Sequence, residues 1–228
     1  MLTVVIPTLN AAAYIDGLLK TLSRDEINVV IADGGSTDAT IEIALRYGAS
    51  IAAGASGRGT QLARGADWAV KSQDADWFLF LHADSRLGED WALAVTLHMN
   101  KYPNEAGYFR FRADAKGWKP RLMEFCVRFR ELTFGGPYGD QGLLISRVLY
   151  ERIGGYDGVA LFEDVKIIDA LQAGGDLRRL PANIYTDVSA YARDGYWART
   201  TRNLQLLRAY RRGEDVESLT SRYRKPAT

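Results

Sequence analysis

The chain has 228 residues, 47% of them hydrophobic, and a formal net charge of +1. That length and apolar content suffice for one large or two small domains around a substantial core, and so balanced a charge provides no global field to draw in nucleic acid. Cys126 is the only cysteine, which excludes an intrachain disulfide and a thiolate zinc site.

The first strand is expected over 2–6, a β-branched run that Pro7 stops, with Thr8 and Asn10 as polar groups at its end. Asn10 is placed to cap a helix over 11–22, where Ile15, Leu18, Leu19 and Leu22 recur at helical spacing. A second strand, 29–32, ends in Asp33-Gly34-Gly35-Ser36-Thr37-Asp38. The two glycines let the backbone turn sharply and approach a ligand, Ser36 or Thr37 can cap the following helix, and Asp33 remains as an acceptor for an imide N–H or a ribose hydroxyl. The plainer reading is a tight turn and nothing more.

A short helix near 38–47 and a weak strand at 49–53 lead to the glycine-rich loop 54–61. Its backbone amides and Arg58 can face a phosphate, ahead of a helix patterned by Leu62, Ala66, Ala69 and Val70. Residues 76–81 then form an apolar run opened by Asp76 and closed by His82, Ala83, Asp84 and Ser85. Such a run has the composition of a strand buried on both faces of a parallel sheet, and ligands of open α/β sheets sit beyond the carboxyl ends of such strands. Asp84 is therefore a candidate for holding Mg²⁺ or Mn²⁺, which take oxygen ligands and bridge carboxylate to diphosphate; the alternative is that it only starts the helix near 89–100. Strand and helix alternate over the first hundred residues, which points to a doubly wound α/β sheet.

The second half changes character. Residues 107–112 alternate as a strand with one wet face, and Leu122, Phe125, Cys126, Phe129 and Leu132 mark one face of a helix whose other face carries Arg121, Arg128 and Arg130. That face suits core packing, a membrane interface or an acceptor pocket. The loop 135–142 carries Asp140 and Gln141 and has the composition of a substrate lid, before a strand at 143–145. Residues 154–164 enter a helix at Glu163 and Asp164, either as acids favoured by the helix dipole or with a carboxylate placed as a general base. Two short strands, 177–180 and 184–188, precede an arginine-rich helical end.

Residues 193–225 carry nine Lys/Arg against four Asp/Glu, net +5, which leaves −4 for the rest. A basic end on an acidic body suits an anionic membrane or a phosphorylated ligand, and equally a solvated helix. With no leader-like start and no apolar run of spanning length, a cytoplasmic protein with room for peripheral membrane contact is expected.

In this order the motifs Val4-Val5-Ile6-Pro7-Thr8-Leu9-Asn10, Asp33-Gly34-Gly35-Ser36-Thr37-Asp38, Phe80-Leu81-His82-Ala83-Asp84-Ser85 and Gly154-Gly155-Tyr156-Asp157 with Phe162-Glu163-Asp164 resemble glycosyltransferase family 2, the inverting GT-A class, over roughly residues 2–175. The resemblance implies an α/β fold: a single GT-A domain over 1–192, with a Rossmann-like, mostly parallel sheet flanked by helices, and a basic helical extension over 193–228. Its nucleotide-binding half would be about 1–100 and its acceptor half about 101–192. It implies that Pro7, Thr8 and Asn10 line a nucleotide pocket, that Asp33 binds the base, and that Gly34, Ser36 and Asp38 shape that turn. Arg58 would face phosphate, Asp84 would match the final acid of the family's DxD motif and hold Mn²⁺ or Mg²⁺, and Asp164 would be the catalytic base. Asp140, Gln141 and Glu163 would lie on the acceptor side. The implied partners are a nucleotide-sugar donor, by analogy UDP-linked, and a small-molecule or lipid acceptor.

The chain departs from the family pattern at His82, where the first DxD acid is usual, so that His82 contacts ribose or phosphate, is a spacer, or ligates the metal through its imidazole, the last being the less favoured. It departs again at Ala63, where many relatives have an amide. The Gln-x-x-Arg-Trp motif of processive synthases is absent, which favours transfer of a single sugar. The rival readings are a nucleotide-sugar-binding module without turnover and a sugar nucleotidyltransferase, though Gly57-Arg58-Gly59-Thr60 follows the third strand rather than the first, where the latter class carries its signature.

Overall fold

The structure is a computed structural model that describes residues 1–133, 136–158 and 161–224. Parts of the loop 135–142 and of the stretch 154–164 expected to matter, namely residue 135 and residues 159–160, lie outside the described residues, as does the Leu132 side chain.

The first half is the alternation that the sequence pattern requires: β1 (Leu2–Thr8), α1 (Ala12–Leu22), β2 (Ile27–Asp33), α2 (Thr40–Arg46), β3 (Ser50–Ile51), α3 (Arg58–Gln73), β4 (Trp77–Phe80), β5 (Ser85–Leu87) and α4 (Trp91–Lys101). The second half adds β6 (Ala106–Ala113), α5 (Trp118–Thr133), β7 (Leu143–Ser146), α6 (Arg147–Arg152), α7 (Glu163–Gly174), β8 (Leu177–Thr186), α8 (Ser189–Asp194), α9 (Tyr196–Arg211) and α10 (Val216–Arg224). The strands form one sheet in the order β3-β2-β1-β4-β7-β6-β8-β5. The β3, β2, β1 and β4 neighbours are parallel, as is the β6–β8 pair, and β7 runs antiparallel between the two groups.

The period of two along each strand sorts the core into two layers. Val4 and Ile6 of β1 and Leu79 of β4 point with Ile15, Leu18, Leu19 and Leu22 of α1 and with Trp91 of α4 to one face. Val5, Phe78 and Phe80 point to the other, against Leu62, Ala66 and Ala69 of α3 and Ile167, Ile168 and Leu171 of α7. Covering both faces lets the apolar strands be buried on both sides, and it leaves the carboxyl ends of β1, β2 and β4 as the open edge of the layers.

Several local expectations change. Asn10 does not cap α1. It sits at φ 52°, and its Oδ1 accepts the Thr37 N–H at 2.9 Å, while the first amides of that helix go to Thr40 Oγ1 and to Asp38. Neither Ser36 nor Thr37 caps the next helix; Asp38 accepts the Thr40 N–H at 3.0 Å. The two strands expected at 177–180 and 184–188 are one strand, β8, and Pro181 falls where the β6–β8 register shifts between Tyr108 and Arg110. Proline has no N–H for the ladder, and the irregularity accommodates it without ending the strand. Beyond residue 193, Tyr210 of α9 stacks on Phe162 at 4.7 Å, next to the start of α7.

Candidate active site

The mouth of the sheet is built first by β1 and β2. Asp33, 1% exposed, closes the turn after β2: its Oδ1 accepts from Thr8 Oγ1 (2.9 Å) and Ser36 Oγ, its Oδ2 from the N–H groups of Gly35 and Ser36, both at 2.8 Å. Burial pushes this carboxyl up, but the Ser36, Gly35 and Thr8 hydrogen bonds outweigh it and hold the group below its ordinary value. A carboxylate has about four acceptor positions, and here the chain itself fills them. In this arrangement Asp33 shapes the turn instead of offering a lone pair to a base. Gly34, Ser36, Pro7 and the exposed Asn10 surround it at the surface.

A buried amide that sequence reasoning missed ties these strand ends together. Gln61, on the buried face of α3, donates through Nε2 to the carbonyls of Thr8 (2.8 Å) and Ala32 (2.7 Å), and its Oε1 accepts the Gly57 N–H at 3.1 Å. The signal was available: Gln61 precedes Leu62, Gly65, Ala66 and Ala69 on a face where a polar residue needs partners. Gln61→Leu should leave the Gly57 N–H without its partner and take one donor from the carbonyls of Ala32 and Thr8, the latter keeping the Gly34 N–H at 2.9 Å, a loss of about 1–3 kcal/mol. A melting temperature about 2–12 °C lower is expected, and an unchanged melting curve would mean that the amide braces nothing.

The second group gathers past the end of β4. His82 and Asp84 follow that strand in the turn before β5. Across from them Asp164, in the first turn of α7, accepts the Gly139 N–H on Oδ2 at 2.9 Å. A Cβ added to Gly139 would fall 2.9 Å from His82 Nε2 and 3.3 Å from Asp164 Oδ2, so the glycine lets the two side chains close on either side of one backbone. His82, Gly139, Tyr156, Glu163 and Asp164 line a cavity of about 20 Å³, room for one water-sized group.

The charges here are unusual. Glu163 is 4% exposed, its Oε1 accepts no hydrogen bond, and Arg58 Nε stands 3.5 Å away. Burial pushes its carboxyl up to about 7, with the Arg58 guanidinium opposing. His82 is pushed down to about 3 by burial and by the same arginine, which keeps its imidazole neutral. Arg58 also acts electrostatically on Asp84 and is acted on by Asp164 and by Tyr223 of α10. It is the shared counter-charge of the mouth.

A model of glycosyl transferase family 2 matches residues 3–150. The chain belongs to this family. Over 171 residues it is 33% identical to a PGL/p-HBAD biosynthesis glycosyltransferase of Mycobacterium tuberculosis, a match that covers 60% of this chain and 63% of the relative, so the chain spans less than two thirds of that protein. Its fold is that of GT-A glycosyltransferases. A mannosyltransferase from Pyrobaculum calidifontis, in complex with GDP-Man and Mn²⁺, superposes with a TM-score of 0.62 at 18% identity, over 92% of this chain and 64% of that one. S. aureus TarS 1–349 in complex with UDP gives 0.59 at 16% identity, over 82% of this chain and 60% of that one.

Asp84 is exposed, and the protein around it pushes its carboxyl up, only partly offset by Arg58. A divalent cation suits such a group. Asp187, which the sequence reading passed over, lies next after Thr186, the partner of Ser85 in the antiparallel β5–β8 pair, and it raises Asp84 further. No three His, Cys, Asp or Glu side chains among the described residues are placed to hold a metal ion. The donor set fits a cation held by one or two carboxylates and completed by the oxygens of a diphosphate.

The short 3₁₀ turn Gly139–Gln141 holds the remaining candidates. Asp140 keeps Oδ1 without a hydrogen-bond partner, and burial raises its carboxyl, with Arg130 opposing. Gln141 faces inward. It is fully buried, its Nε2 donates to Phe109 O (3.0 Å) and Glu131 Oε1 (2.7 Å), and its Oε1 accepts from Arg130 at 3.4 Å. Its amide braces the loop and has no hydrogen left for an acceptor.

Proposed function

We propose that this protein transfers one sugar from a nucleoside-diphosphate sugar, UDP-linked, to a hydroxyl of a small or lipid acceptor, with inversion. The observation that carries the reading is the convergence on one mouth of groups remote in sequence: the Thr8–Asp33–Ser36 turn, Arg58, the His82–Asp84 turn and the Glu163–Asp164 helix start. The nucleoside would lie against the ends of β1 and β2, with the backbone of Gly34 and Gly35, Ser36 and Asn10 as its polar surroundings. Arg58 would face the diphosphate. Asp84, with Asp187 beside it, would hold Mn²⁺ or Mg²⁺, which supplies charge to the departing diphosphate. Asp164, fixed by the Gly139 N–H, would take the proton of the attacking hydroxyl, and one such carboxylate is sufficient for a single displacement. Neutral His82 would offer a hydrogen bond to ribose or phosphate. Asp140 and Glu163 would bound the acceptor side, and residues 1–192 and 193–228 would divide as catalytic domain and extension.

No described helix is long and apolar enough to cross a membrane, and peripheral contact is part of the proposal. The competing reading, a binding module without turnover, makes the same pocket but no product. The test begins with melting curves in UDP-, GDP- and other nucleotide sugars with and without Mn²⁺. Ligand at about 100 times Kd contributes about 2.7 kcal/mol, a rise of about 5–11 °C for a chain of this size. In Asp84→Ala the part of the rise that depends on Mn²⁺ should vanish. If that part persists, the cation is held elsewhere, and if no nucleotide sugar shifts the curve, the donor assignment fails.

A further inference from the structure

The outer face of α5 is poorly explained by the donor site. The expected split into an apolar face and an arginine face does not hold: Trp118 and Phe125 are 67% and 65% exposed, Phe129 one turn on is 53% exposed, Lys119, Arg121 and Arg128 are exposed among them, and it is Glu124 and Val127 that face inward. Beside this face runs a groove of about 230 Å³ between α5 and the strands β6 and β8. Five arginines line it, Arg110, Arg112, Arg121, Arg128 and Arg179, against two acids, Glu124 and Glu131.

The acids are already engaged. Glu124 pairs with Arg112 at 2.8 Å and with Arg121, and accepts the Ala113 N–H at 3.0 Å. Glu131 holds the Gln141 amide and stands 3.9 Å from Arg179. Among the described residues Arg110 and Arg128 have no carboxylate within ion-pairing distance. The crowding registers on Arg110, whose guanidinium is pushed below its ordinary value first by burial and then by Arg179, Arg112 and Arg128, with Glu131 opposing only in part. Like charges gathered in one groove oppose the compact state, so a ligand bringing negative charge would relieve what the protein leaves uncompensated.

The choice of ligand follows from the aromatic rim. A soluble anion needs only the arginines, whereas an exposed indole and phenyl beside them suit a bilayer interface, where such rings sit at headgroup depth. We propose that this groove binds the phosphate headgroup of an anionic phospholipid, with Trp118 and Phe125 resting in the membrane interface, so that α5 is the surface by which the protein docks on a bilayer. None of the groove residues belongs to the proposed donor pocket, so the inference can fail while sugar transfer stands, and the reverse.

The test is sedimentation of the full chain with vesicles of phosphatidylcholine alone and with about a third phosphatidylglycerol. Pelleting is expected with the mixed vesicles only, and it should fall as salt rises, because screening weakens the arginine contacts. The Arg110→Gln/Arg128→Gln variant should bind about tenfold or more weakly and melt no lower than wild type, since it loses repulsion and no ion pair. Trp118→Ser/Phe125→Ser should weaken binding with less salt dependence in what is lost. Absence of pelleting with the mixed vesicles overturns the proposal, as does an arginine variant that pellets like wild type. A melting shift in inorganic phosphate that needs Arg110 and Arg128, without vesicle binding, would assign the groove to a soluble anion and overturn the lipid.

Discussion

Asp164→Asn is expected to lower sugar transfer by about 10²–10⁴-fold, the usual contribution of a positioned general base, while leaving the donor-induced melting shift in place. The substitution is a narrow one. Asparagine keeps one acceptor oxygen for the Gly139 N–H that Asp164 accepts at 2.9 Å, so the loop between His82 and α7 retains its anchor; what is lost is the second contact, from the Val165 N–H to Oδ1 at 2.9 Å, and the ability to take up a proton. Nucleotide release from the best donor of the melting screen, with and without simple sugar and alcohol acceptors, provides the rate. The neighbouring Glu163 is the instructive control. Its carboxyl, raised to about 7 by burial, lies nearer the value favoured for proton transfer at neutral pH, but it is 4% exposed and faces Arg58. If Glu163→Gln abolishes turnover and Asp164→Asn does not, the base is one residue upstream.

The sequence exposes the parts of this architecture that follow from local pattern and conceals the parts that follow from distant pairing. The β-branched run 2–6, the helical spacing of Ile15, Leu18, Leu19 and Leu22, and the doubly apolar strand before His82 each report their own burial, and the structure agrees with them, except that β1 does not stop at Pro7 and runs through it to Thr8, paired with β2. Belonging to the family was legible from motif order and is upheld by the match over residues 3–150. The roles inside the turns were harder to see. Asp33 reads as a free acceptor because nothing local shows that Thr8, 25 residues earlier, will donate to it. Gln141 reads as a loop amide because its partners, Phe109 O and Glu131, arrive from β6 and α5. Asp187 had no local signal at all; only the antiparallel β5–β8 pairing brings it opposite Asp84. Pro181 lies between the two strands expected at 177–180 and 184–188, and within β8 a register shift absorbs it.

Glu163→Gln is expected to stabilise the protein in mild alkali and to do nothing in acid. The native carboxyl has a pKa of about 7 against an ordinary value of 4.5, so between those limits the folded chain binds more protons than the unfolded one, and stability falls as pH rises. The contribution of Glu163 is whole below about pH 4.5 and is lost by about pH 8, at a cost of about 3 kcal/mol. Glutamine copies the neutral form, so the variant should melt about 6–12 °C higher than wild type at pH 8, and the two curves should meet near pH 4.5. His82 produces the opposite limb. Held down to about 3, it contributes stability that is present above its ordinary 6.5 and lost as pH falls toward 3, so His82→Asn should flatten the acid side alone. Melting curves that stay parallel from pH 5 to pH 8 in wild type and Glu163→Gln would show that Glu163 ionises normally. The same titration bears on the donor. While Glu163 is neutral the Arg58 guanidinium, 3.5 Å away, keeps its full charge for a diphosphate; once Glu163 ionises, that charge is shared. Nucleotide-sugar affinity should therefore weaken as pH rises through 7 in the wild type and hold level in the variant.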